Sequence, residues 1–270
     1  MLNTLPRCVV VLLLVAVGQA CQREQTASTP ETPPLPTGEQ IVQQYLNRDR
    51  CRDAKTKIKA RVKEADGTER EFIIMNYQKC VDDTQYTIRQ QLASKGDPAR
   101  VLLTIQAPGQ PIQSVTYLPG MAKFVEVQDL RQEDSQFGMT LQESVGGYDL
   151  YEYRLIGMEQ IGPLQTYKVE GQLKPDATSR FYKMVIYFRQ DNYLPARIEL
   201  YNAENQLVRL RSTLWMQQNG RWRDVRTEVD NRKYQKRIVF ETMEADDNPN
   251  IPLSFFTREN LKKLVEASLY

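Results

Sequence analysis

The chain has 270 residues, a net charge of +2 and no histidine. The missing histidine excludes a Ser-His-Asp triad, a Cys-His pair and any histidine-ligated metal. The near-balanced charge gives no reason to expect nucleic acid as a partner.

The first element is apolar. One charge, Arg7, precedes the run from Cys8 to Val17. About ten apolar residues are too few to span a bilayer, which takes about twenty in a helix. They suit the core of a secretory signal over residues 1–20. The small residues Gly18 and Ala20 then lead to Cys21. A cysteine there suits lipidation by the bacterial lipoprotein pathway, although Gly18 and Gln19 depart from the usual residues before the cut. An ordinary signal-peptidase cut is the alternative. Of the four cysteines, Cys8 leaves with the signal. With Cys21 lipidated, Cys51 and Cys80 remain, either as a disulfide in an oxidising compartment or as two free thiols. No CxxC accompanies them, so they are not a zinc site.

Residues 22–37, QREQTASTPETPPLPT, hold four prolines and little that is apolar. Such a segment reads as an extended linker of up to about 40 Å. Cys21 with this linker (21–37) is therefore expected to tether a folded body, 38–270, to a membrane surface.

The body opens with a short amphipathic helix at 39–47, where Ile41 and Tyr45, and Val42 and Leu46, recur every four residues. After it the period is two. Lys57 to Lys63 alternates charged and apolar residues, and Asp66-Gly67 reads as a hairpin turn. Further strands are expected at 71–75, 84–92, 101–105, 113–118 and 123–127. The pattern breaks over 129–145, a loop with a short helix and a candidate lid. It resumes at 149–157, 164–173, 180–189, 195–202, 206–217, 221–230 and 235–243. Asn219-Gly220 marks a two-residue hairpin. Thr257 is placed to cap a last helix, 258–267. The fold class is thus mainly β with few helices. A few helices cannot cover about a dozen strands, so the sheet is expected to curl on itself.

Charges decide which strand face is wet. Lys183 and Arg189 leave Tyr182, Met184, Ile186 and Phe188 for the other side. Arg209 and Arg211 leave Val208, Leu210, Leu214 and Met216. Likewise Ile198 and Leu200 oppose Arg197 and Glu199, and Ile238 and Phe240 oppose Arg237 and Glu241. These uncharged residues are expected either to fill a closed core or to line an apolar cavity for a ligand. Charge is uneven along the chain. Glu126 to Glu159 has eight acidic residues against two arginines, and Thr178 to Phe240 has thirteen basic against six acidic. A solvated outer surface explains this as well as an anionic partner does. Gly146-Gly147 lacks a phosphate-loop pattern, and the Asp246-Asp247 pair reads as solvated loop. Catalysis is therefore not expected, and no cofactor is implied.

From about Val115 to Lys262 the order of short motifs resembles the outer-membrane lipoprotein-sorting family, the relatives of the periplasmic carriers LolA and LolB. The matching residues are Thr116-Tyr117-Leu118-Pro119, Phe137-Gly138, Tyr153 to Gly157, Tyr182 to Tyr187, Tyr193-Leu194-Pro195, Glu199-Leu200-Tyr201, Gly220-Arg221-Trp222 and Phe256-Thr257. Met139-Thr140-Leu141 stands where that family often has an Asp-rich run. The resemblance implies an unclosed β-barrel over 38–270 with helices plugging its mouth. It implies an apolar interior that receives acyl chains of lipoproteins or other lipids, in the envelope of a Gram-negative bacterium and more at the outer membrane than the inner. A binding module of the same fold, sensing lipid or an envelope protein partner, is the other reading.

Overall fold

The computed structural model describes residues 34–48, 51–92, 94, 99–127 and 147–267. The expected signal peptide, Cys21, the linker up to residue 33 and the lid segment 129–145 lie outside the described residues.

Helix α1 spans Gly38–Arg48. Thr37 and Gln40 start it with a reciprocal cap: Gln40 N–H donates to Thr37 Oγ1 (3.2 Å), and Thr37 N–H donates to Gln40 Oε1 (2.9 Å). Thirteen strands follow in chain order: β1 Ala54–Lys63, β2 Glu69–Val81, β3 Thr84–Gln91, β4 Arg100–Gln106, β5 Gln113–Leu118, β6 Lys123–Glu126, β7 Tyr151–Ile161, β8 Leu164–Leu173, β9 Lys183–Arg189, β10 Pro195–Tyr201, β11 Leu207–Gln218, β12 Arg221–Asn231 and β13 Lys236–Asp246. Helix α2, Arg258–Glu266, closes the described chain, and Thr257 caps it by accepting from Asn260 N–H. Asn219 and Gly220 both have positive φ, 51° and 76°, as a type I′ hairpin requires.

All thirteen strands form one antiparallel sheet, ordered β6-β5-β4-β3-β2-β1-β13-β12-β11-β10-β9-β8-β7. Two meanders are joined where the first strand pairs with the last, from Lys55↔Asp246 to Lys63↔Arg237. The sheet is not closed into a barrel. Its two edges, β6 and β7, are consecutive in the chain, so residues 128–146 connect one edge to the other.

The registers sort the core by face, because directly opposed residues of antiparallel strands point the same way. The first apolar cluster joins Ile41 and Val42 of α1 to Tyr151, Tyr153, Val169, Phe181, Met184, Ile186, Phe188, Ile198 and Leu200. This face, the one that α1 covers, is called the inner face. A second cluster of Ala60, Val62, Phe72, Ile74, Val229 and Ile238 shares it. The third cluster lies on the other side of the sheet. Tyr77 is three residues beyond Ile74 with no bulge between, and it pairs with Ile88, which pairs with Leu103. There Phe256, Leu261 and Val265 bring α2 onto Ile88, Val101, Leu103, Val115 and Tyr117. Gln90 Nε2 of the same outer face donates to the Leu264 carbonyl of α2 at 3.0 Å. The two helices therefore cover opposite faces, α1 at one end of the sheet and α2 at the other. The inner face of β4 and β5 is polar instead, with Thr104 and Ser114 3.4 Å apart.

Candidate functional site

The inner face from β7 to β2 is the candidate binding surface. Helix α1 is fixed to it at the edge. Glu39 Oε1 accepts from the Tyr153 N–H at 2.8 Å, which satisfies a donor that the edge strand β7 would otherwise leave bare. Gly38 permits this approach: a Cβ there would lie 2.6 Å from the Arg154 backbone. Tyr45 then packs on Phe188 with ring centroids 5.7 Å apart. On the floor beneath, Gly171 leaves room for Tyr153 and Met184, since a Cβ would come within 2.7 Å of the Tyr153 ring. Tyr153 donates its hydroxyl to the Tyr148 carbonyl at 2.8 Å. Burial pushes the Tyr153 and Tyr148 phenols well above their usual range, so both stay neutral donors.

Five of the twelve expected inner residues, Met184, Ile186, Phe188, Ile198 and Leu200, lie together under α1. Val208 packs at the margin of the same cluster. Ile238 belongs to the second inner cluster, and Phe240 packs against it. Four placements are corrected. Tyr182 is exposed, and its neighbour Phe181 turns into the cluster instead. Leu210, Leu214 and Met216 are not on the inner face; Leu214 and Met216 are 55% and 50% exposed. The cause is a bulge. Leu200 pairs with Arg209 but Tyr201 pairs with Leu207, so Val208 is an extra residue. The shift turns Arg209 and Arg211 inward, opposite Leu200 and Ile198.

A polar seam therefore crosses the inner face between its two apolar clusters. Arg209 is 3% exposed and its guanidinium lies 5.3 Å from the Phe181 ring centroid. Arg211 is flanked by Ile198 on β10 and Val229 on β12. Thr213 and Thr227, 3.2 Å apart, and Asn231 complete the seam. The Asp224 side keeps solvent-accessible surface, yet burial pushes its carboxyl above the usual value, with Arg211, Arg52 and Arg223 opposing the rise. Elsewhere on the outer face of the sheet charges pair off, as in Arg154–Glu170 at 2.9 Å on β7 and β8 and Arg197–Glu199 at 2.6 Å on β10.

Cys51 and Cys80 form a disulfide that ties the entry to β1 to the far end of β2. Asp53 sits beside it and accepts from Lys79 Nζ at 2.6 Å and from Cys80 N–H at 2.9 Å. Among the described residues no three or more His, Cys, Asp or Glu gather as a metal site. No described helix is long and apolar enough to cross a membrane.

A family model described only as that of an uncharacterized protein matches residues 85–263, well over half of the chain. The chain belongs to this family. Comparison with curated proteins finds no match. Solved structures share the architecture. A domain described as an outer membrane lipoprotein-sorting protein from Vibrio parahaemolyticus superposes with a TM-score of 0.74 at 15% identity, covering 83% of this chain and 98% of that one. A DUF1329 family protein from Desulfovibrio piger gives 0.69 at 16% identity, covering 82% and 95%. A LolA superfamily protein from Nitrosomonas europaea gives 0.63 at 14% identity, covering 83% and 99%. The chain shares the LolA-like fold of these structures, the fold that the motif order in the sequence implies.

Proposed function

We propose that this protein is a membrane-anchored binder of acyl chains, acting in the transfer or sorting of lipoproteins or other lipids toward the outer membrane. Its own anchor is the lipidated Cys21, and its folded body hangs from a leaflet on residues 22–37. The reading rests on one observation above all. An open sheet of the LolA type presents two apolar clusters on the face that α1 covers.

The energetics suit a carrier. Burying a fifteen-methylene chain from water contributes about 12 kcal/mol, at roughly 0.8 kcal/mol per methylene. A chain drawn from a bilayer leaves an environment just as apolar, so its transfer to the protein is close to neutral. Uptake and release then need no chemical energy, and the protein acts as a binder without a catalytic step. Beside the hydrogen bonds of Glu39 and Arg48 at its two ends, α1 is held on the inner face by the apolar packing of Ile41, Val42 and Tyr45, which an acyl chain can replace in kind.

Native mass spectrometry of the purified full chain should show co-purified acyl lipid. A fluorescent fatty acyl probe should bind, Met184→Asp should abolish its uptake, and Leu214→Asp on the outer face should leave it unchanged. Equal loss in both folded variants, or no binding by the parent chain, would refute the inner face as the acyl site.

A further inference from the structure

We infer that the seam on β11 is a head-group site, and that the ligand of the inner face is an amphiphile with an anionic carboxylate or phosphate head held by Arg211. The inference rests on the acyl-binding reading and adds the chemistry of the head.

A face built to hold hydrocarbon does not need arginine, and an uncompensated cation among apolar side chains is expensive. Yet the bulge at Val208 turns two arginines into that face. Arg209 is accounted for by its stacking on Phe181. Arg211 is different. Among the described residues its buried Nε has no hydrogen-bond partner, and none of the ion pairs there involves its guanidinium. Asp224, opposite Trp215 on the same face, has its carboxyl raised by burial, with Arg211 opposing the rise. Arg223 adds a cation next to it on β12 but is already paired with Asp247. The seam thus presents one guanidinium with spare donors, flanked by hydroxyls of Thr213 and Thr227.

The placement fits an amphiphile better than a free anion. Arg211 stands between Ile198 and Val229, which belong to the two apolar clusters on either side. A head held at the seam would have apolar side chains next to it in both directions. A guanidinium fork accepts a carboxylate or a phosphate through two parallel bonds, the geometry that single-point ammonium groups lack.

The test uses the full chain with two probes of the same hydrocarbon, cis-parinaric acid and its methyl ester. The acid should bind about tenfold more tightly than the ester, as one charge-assisted contact provides. Arg211→Gln should erase that difference while leaving ester binding unchanged, and the retained ester binding reports that the variant is folded. Arg211→Lys should keep most of the preference. Dodecyl phosphate should displace the acid, and inorganic phosphate at the same concentration should not. Equal binding of acid and ester by the parent chain, or a preference that survives Arg211→Gln, would overturn the head-group assignment and leave the acyl reading intact. Displacement by inorganic phosphate alone would make the seam a site for free anions. Failure of both probes to bind would remove the acyl reading itself, and this inference with it.

Discussion

Single residues decide which side of the sheet does the binding. Val208 is one, because the extra residue it inserts sends Arg209 and Arg211 inward and Leu210 and Leu214 outward. Asp224, facing the same seam, makes the electrostatic cost measurable. Its carboxyl is raised above 3.8 chiefly by burial. The folded state then holds this proton more tightly than the unfolded state does. The favourable balance is present below pH 3.8 and is lost as pH rises through the higher folded value. Asp224→Asn removes the ionisation. The variant should match the parent chain in urea midpoint at pH 3 and exceed it at pH 8. A gain of the same size at both values would show that packing, not charge, sets the difference. None of this was legible beforehand. Alternation places Arg209 and Arg211 on a wet face by default, and a bulge leaves no mark in a pattern of polar and apolar letters. Phe181 and Tyr182 changed places for a similar reason, since the strand begins only at Lys183 and alternation does not hold before it.

Elements were far more readable. Period two, turn residues such as Asn219-Gly220 and the cap at Thr257 are local signals, and the strands and both helices follow them closely. What local signals could not show is which face each helix covers. The amphipathic stripe of α2 says that Leu261 and Val265 are buried, not that their partners are Ile88 and Leu103 on the outer side. The pairing of β1 with β13 is likewise a long-range outcome, made where Lys57 meets Glu244 at 3.0 Å and Arg61 meets Glu241 at 2.9 Å. The disulfide works at this scale. It closes a loop of 29 residues around the β1–β2 hairpin, at the centre of the sheet where the two meanders join. Replacing both cysteines by serine should lower stability by about 3 kcal/mol, mostly by freeing the unfolded chain. Chemical unfolding should show this as a lower midpoint with a steeper slope, because the freed unfolded chain exposes more surface. An unchanged midpoint would mean that the strand registers alone hold the hairpin.

At the scale of the whole molecule, an open sheet with an apolar inner face is only useful as a carrier if it stays close to a bilayer. Transfer of a chain between two apolar surroundings is nearly neutral in free energy, but passage through water exposes it at about 0.8 kcal/mol per methylene. A tether shortens that passage. The proposed tether is Cys21 followed by sixteen residues rich in proline, which reach at most about 40 Å. One acyl chain alone holds a protein to a bilayer only marginally, whereas a diacylglycerol on the sulfur, with two chains, is a stable anchor. Cys21→Ser should therefore move the protein from the membrane pellet to the soluble fraction and abolish incorporation of labelled palmitate. It should leave binding of parinaric acid methyl ester unchanged, because the inner face begins beyond residue 37. Retention in the pellet without palmitate incorporation would place the anchor elsewhere in the chain. Loss of ester binding in the released protein would mean that the anchor and the binding face are not separate devices, and that the protein's own lipid occupies the surface proposed for its cargo.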